Sequence, residues 1–115
     1  MKEQQIEALK SADEYLNNLK NGVNKAVNLF ENGKEKRGCD YIPLIAKGID
    51  WISNITALTK DVQKEEITID DMNEYLEQIV NALENEDYTL VGDIFNYEIQ
   101  PILDRIHKQI KELLE

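Results

Sequence analysis

At 115 residues the chain can bury one ordinary hydrophobic core and not two, which excludes a multidomain enzyme. With 42% hydrophobic and 31% charged residues, five Gly and two Pro, it has the profile of a folded helical protein, not of a disordered chain or a turn-rich sheet fold. Lys and Arg number 13 against 23 Asp and Glu, and a net charge of −10 is repelled by nucleic-acid backbones and by anionic membrane surfaces alike.

The opening residues, Met1 to Ile6, contain no apolar signal core, and the longest apolar stretches, such as Tyr41 to Ile45, are far shorter than the roughly 20 residues of a membrane span. Cys39 has no second cysteine to bridge, so a reducing, cytoplasmic setting is expected. The only histidine, His107, is remote in sequence, and Cys39 reads as a small helix residue rather than a catalytic thiol.

Apolar residues recur every seven positions at Leu9, Leu16, Val23 and Phe30, with Ala12, Leu19 and Ala26 three places after the first three, which predicts a helix over about 4–32. Asn32-Gly33 ends it, because Gly accepts the left-handed backbone of a helix terminus. Tyr41, Ile45, Gly48, Ile52 and Ile55 form the stripe of a second helix over about 35–60, kinked at Pro43. That helix is unusually broad. Leu44, Trp51 and Leu58 make a second seven-residue row, and Ile42 and Ile49 extend the other edge, so roughly 200 degrees of its wheel is apolar where about 100 would serve a one-sided helix. Either it is the most enclosed helix, or the row Leu44, Trp51, Leu58 takes a partner, with Trp51 as anchor and Gly48 admitting a neighbouring backbone.

Asp61 to Ile67 is polar, and Thr68-Ile-Asp70-Asp71 resembles a capping box that opens a third helix over about 69–85 with Met72, Tyr75, Leu76, Ile79, Val80 and Leu83. A fourth, over about 88–114, carries Val91, Ile94, Phe95, Ile102, Ile106, Ile110 and Leu113, with a kink expected at Pro101. Asn28, Glu31, Asn32 and Asp40 recur as Asn81, Glu84, Asn85 and Asp93 at a constant offset of 53, where one stripe stops and the next begins. The expected fold is a single all-α domain over 1–115, an antiparallel four-helix bundle built from two helical hairpins.

The segment Asn85 to Leu103, with its Asp-Tyr, later Asp, Tyr-Glu and Pro, resembles a pattern of small uncharacterised bacterial helical proteins; the resemblance implies a domain of unknown function and transfers no catalytic residue. Size, acidity and helix count are also similar to flagellin export chaperones, a likeness of architecture alone.

Residues that could carry chemistry do not gather. Glu74 and Glu77 have the one-turn spacing of metal-binding carboxylates, but Glu84 and Asp87 fall on a turn, too close to supply a facing helix. Asp104 and His107 share that spacing and read as a solvent-facing pair. The string Asp70 to Glu74 lacks the Gly of a calcium loop and suits a helix N-terminus. No cofactor and no metal is expected. Glu98 is an acid within the apolar stripe of the fourth helix and Lys20 a cation in that of the first, which predicts a buried or edge ion pair between them.

Residues 1–60 hold nine Lys or Arg and eight Asp or Glu, whereas 61–115 hold four and fifteen, with no cation between Glu65 and Asp104. An acidic face of that length steers basic surfaces toward it. The favoured reading is a non-enzymatic protein-binding bundle, an adaptor or export-type chaperone, whose partner is another protein or a second copy. The alternatives are a carboxylate-dependent metal enzyme acting on a small phosphorylated compound and a purely self-associating structural protein.

Overall fold

The computed structural model describes residues 2–69 and 71–115. Among them the chain is all-helical, with no strand. Helix α1 spans Lys2–Glu31, α2 Glu35–Leu58 and α3 Met72–Glu84. Helix α4 is Tyr88–Ile94, a π-helical turn at Phe95–Ile99 and Gln100–Leu114 in unbroken succession.

Helix α1 is the centre of the packing: it lies against α2 on one side and α4 on the other, while α3 lies against α4. Its heptad stripe explains this place. Leu9, Ala12, Leu16, Leu19, Val23, Ala26 and Phe30 are all buried, and Val27 joins them. Each large apolar side chain so removed from water stabilises the fold by about 1.5–3 kcal/mol. Along α1, Phe30 meets Gly38 of α2, and Leu19 and Tyr15 meet Gly48. On the other side Phe30 stacks on Tyr88 at 6.4 Å, Asn24 bonds Gln100, and Asp13 bonds His107.

The two short turns repeat at the level of hydrogen bonds. At the end of α1 the N–H of Lys34 donates to the Leu29 carbonyl (2.8 Å) and that of Gly33 to Phe30 (3.3 Å). At the end of α3 the N–H of Asp87 donates to Ala82 (2.8 Å) and that of Glu86 to Leu83 (3.0 Å), the same pattern shifted by 53 positions. Both are Schellman endings, in which the residue past the cap turns left-handed to satisfy the last carbonyls. Gly33 does so at φ 73° without steric cost, but Glu86 does so at φ 53° with a side chain. Glu86→Gly is therefore expected to raise stability by about 0.5–1 kcal/mol, read as a higher urea midpoint. An unchanged or lower midpoint would show that Glu86 bears no strain.

The start of α3 differs from the expected capping box. The helix begins at Met72 after Asp71, whose side chain makes no capping bond, and Asp70, part of the box and of the acidic string, lies outside the described residues. Instead the carbonyl of Thr68 accepts from Arg105 of α4 at 2.7 Å. The strap from α2 to α3 is fastened by Gln63, whose amide donates to the Thr56 carbonyl (2.8 Å) and accepts from the N–H of Ile67 (2.9 Å). Ile67 is buried beneath it.

Candidate functional site

On α2 the inward stripe is Ile45, Gly48, Ile49 and Ile52, all buried. The second row remains outside: Leu44 is 63% exposed, Trp51 38% and Leu58 70%. The reason is geometric. Helix α1 covers the Ile45 and Ile52 side of α2, a cleft of about 290 Å³ toward Met72 and Leu76 of α3 opens along one edge at Ile49 and Ser53, and the row lies on the opposite edge, beyond the cover that α1 gives. A helix apolar over so wide an arc thus has only part of it covered. Trp51 meets Tyr15 of α1 edge-on, with ring centres 5.1 Å apart, so the anchor of the row is held in place. Beside Leu44, a groove of about 340 Å³ opens between α1 and α2 over Tyr15, Leu19, Gly22 and Tyr41. Gly48 does not serve an outside backbone: a Cβ there would strike the Tyr15 hydroxyl and Leu19 of α1, so its smallness is used within the fold.

The expected Lys20 and Glu98 pair is not formed. Lys20 Nζ meets Asp104 Oδ1 at 3.2 Å, and Glu98 is exposed. The π turn is the cause. Here the N–H of Gln100 reaches back five residues to the Phe95 carbonyl, one extra residue is fitted into the helix, and Pro101 just beyond has no N–H to continue the α ladder. The stripe therefore passes from Phe95 to Ile99, both fully buried, and Glu98 is turned outward by one position. Its carboxylate lies beside the Tyr75 hydroxyl and raises the pKa of that phenol. At the same height Gln100 spans to α1, donating to the Lys20 carbonyl (3.0 Å) and to Asn24 Oδ1 (2.8 Å). A polar groove follows the π turn, lined by Asn17, Asn21 and Asn24 of α1 and by Asn96 and Asp104 of α4.

His107 is a second departure, since it is only 3% exposed rather than paired with Asp104 in solvent. Its Nε2 lies 2.8 Å from Asp13 Oδ1, which also accepts from Lys111 Nζ at 3.0 Å. The hydrogen bond from Lys111 is the strongest influence on Asp13; with His107 it outweighs burial and holds the carboxyl below its ordinary value of 3.8. An ionised carboxylate only accepts, so Nε2 of His107 carries the proton and donates. The linkage has a definite sign. A lowered carboxyl contributes stability that is present above pH 3.8 and is lost as pH falls through the folded-state value below it. The stability difference between the wild type and Asp13→Asn is therefore expected to shrink as urea titrations are taken from pH 5 toward about pH 2. A difference that is constant over that range would remove Asp13 as an acid-sensitive group.

Among the described residues no three His, Cys, Asp or Glu side chains gather as metal ligands. The thiol of half-buried Cys39 is pushed up by burial and by the nearby Asp40 and Glu35, which disfavours the nucleophilic thiolate. No helix among the described residues is long and apolar enough to cross a membrane. The features that sequence periodicity missed, Asp13 with His107 and the Gln100 crossing, are polar contacts between residues at least 76 positions apart.

No curated protein and no solved structure matches the chain. Residues 7–109 match a family described as a domain of unknown function, DUF8042, and the chain, whose helices α1 to α4 fall almost wholly within that span, belongs to this family.

Proposed function

We propose that the protein is a protein-binding module, an antiparallel bundle of two helical hairpins that acts in the cytoplasm as an adaptor or an export-type chaperone. The observation that carries the reading is the exposed seven-residue row Leu44, Trp51 and Leu58 beside a groove. Three large apolar side chains aligned on one face of a helix match the way a bundle captures a partner helix. The reversed order of contacts between α1 and each of α2 and α4, and the repeated turns, support the hairpin arrangement. The acidic half, 61–115, would keep anionic surfaces away and favour basic ones.

The test uses Trp51, the only tryptophan, as reporter. A synthetic amphipathic helix with leucines at every third or fourth position and uncharged ends should shift its fluorescence, and the same peptide with serines in place of the leucines should not. Trp51→Ala, followed by a labelled peptide, should weaken binding tenfold or more, while folding stability falls by about 2–4 kcal/mol, the worth of its half-buried ring and its edge-on contact with Tyr15. If sedimentation shows a dimer that Leu44→Ser with Leu58→Ser converts to monomer, the partner is a second copy. No binding by a chain that sediments as a monomer would refute the proposal.

A further inference from the structure

The groove beside Leu44 does not end at its apolar walls. It shares Lys25 and Tyr41 with a second depression, about 280 Å³, at the end of the α1 and α2 pair where the chain turns. That depression is lined by Lys25, Lys34 and Arg37, with Asn28 and Asn32 between them. None of the three cations has an ion-pair partner among the described residues, which is also true of other surface lysines such as Lys36 and Lys47; what sets these three apart is that they line one depression together. Glu31, Glu35 and Asp40 belong to the same helix ends, yet none lines the depression. On a molecule of net charge −10 this is a local reversal of sign, and it abuts the apolar surface.

We infer that the groove between α1 and α2 takes an amphipathic peptide helix with an acidic end, whose apolar side chains lie along Leu44, Trp51 and Leu58 and whose carboxylates sit over Lys25, Lys34 and Arg37. The inference rests on the proposed protein-binding role and specifies the partner's chemistry. Residues 44 to 58 extend over about 21 Å, roughly four turns of a partner helix. A helix is the occupant that matches a seven-residue row, since a strand would present its side chains at a period of two. Charge sets the direction of docking. The strongly acidic half, 61–115, repels an acidic segment, which directs the end of such a helix to the basic depression, and rejection there adds to the choice of partner.

The experiment compares two helical peptides of about 22 residues, long enough at about 1.5 Å per residue to reach from Leu58 past Leu44 to Arg37, with the same leucine positions, one carrying four glutamates at one end and the other four lysines, each made in both orientations. With the intact chain at low salt, the better glutamate peptide is expected to bind about tenfold tighter than either lysine peptide, read by Trp51 fluorescence, and the gap should close near 0.5 M salt. Lys34→Glu with Arg37→Glu replaces two exposed side chains, so the fold is kept, and it should reverse the preference. Equal binding of glutamate and lysine peptides would overturn the inference while leaving the protein-binding role intact. Tighter binding of the lysine peptide would overturn it as well. Failure of every peptide, leucine-bearing and uncharged ones included, would overturn both. A dimer dissociated by Leu44→Ser would show a second copy in the groove and would also refute the acidic peptide.

Discussion

Deleting a single residue from α4 is expected to have opposite results at two places six positions apart. Removal of Asp104 should unfold the protein. It would turn everything downstream by about 100 degrees and carry Ile106, His107 and Ile110, all buried, off the face that meets α1. Each buried aliphatic side chain lost costs about 2–5 kcal/mol, against a total stability of about 5–15. The π turn cannot rescue the loss by relaxing to α geometry, because it would then misplace Ile99, Ile102 and Leu103, which lie between. Removal of Glu98 is different, since it takes out the extra residue that the π turn accommodates and leaves the apolar stripe in step. Combined with Pro101→Ala, so that the restored ladder has an N–H at each position, it should retain a cooperative thermal melt. Circular dichroism of the two deletions decides the matter: if both unfold, or both fold, the extra residue is not what sets the phase of α4.

The second large effect concerns His107. Its replacement by Ala is expected to cost about 2–4 kcal/mol, because it opens a cavity at a site 3% exposed and removes a hydrogen bond to an ionised carboxylate. Lys111, which donates to the same Asp13 oxygen, has a side chain 54% exposed, so Lys111→Ala should cost less than about 1 kcal/mol. Urea denaturation of the two variants measures the contrast. Equal and small losses would mean that His107 is not a core residue.

The apolar periodicity of α1 and α4 was readable from spacing: every member of the α1 stripe is buried, and so are Val91, Ile94, Phe95, Ile102, Ile106 and Ile110 of α4, while Tyr41 and Ile55 of α2 and Tyr75, Leu76 and Leu83 of α3 are only half-buried. The doubled turn was readable as well, although only four residue identities marked it, because Asn32 and Asn85 stand at the cap of each helix end. Val80, grouped with the α3 stripe, is instead 53% exposed at its edge. Glu98 was misplaced for a reason no helical wheel can contain, since a wheel assumes an unbroken step and the π turn changes it. His107 was misplaced because α4 buries a wider arc near its C-terminal end than a single stripe predicts. The row Leu44, Trp51 and Leu58 was visible, but whether it faced inward depended on how much of the arc of α2 the single neighbour α1 covers, which rests on packing and not on the pattern of either helix.

The central place of α1 has a consequence for the order in which the protein comes into being. Its α2 partner is synthesised next and joined by a tight turn, so those two helices can associate as soon as Leu58 has emerged. Its other partner is α4, whose last residue, Leu114, follows 56 positions later. At a synthesis rate of about 5–20 residues per second, the second side of α1 waits roughly 3 to 11 s for its cover. For that interval the nascent chain presents its heptad stripe to the cell, and the charge of the first sixty residues, close to neutral, gives it little electrostatic protection. The strongly acidic segment arrives only with the helices that close the core.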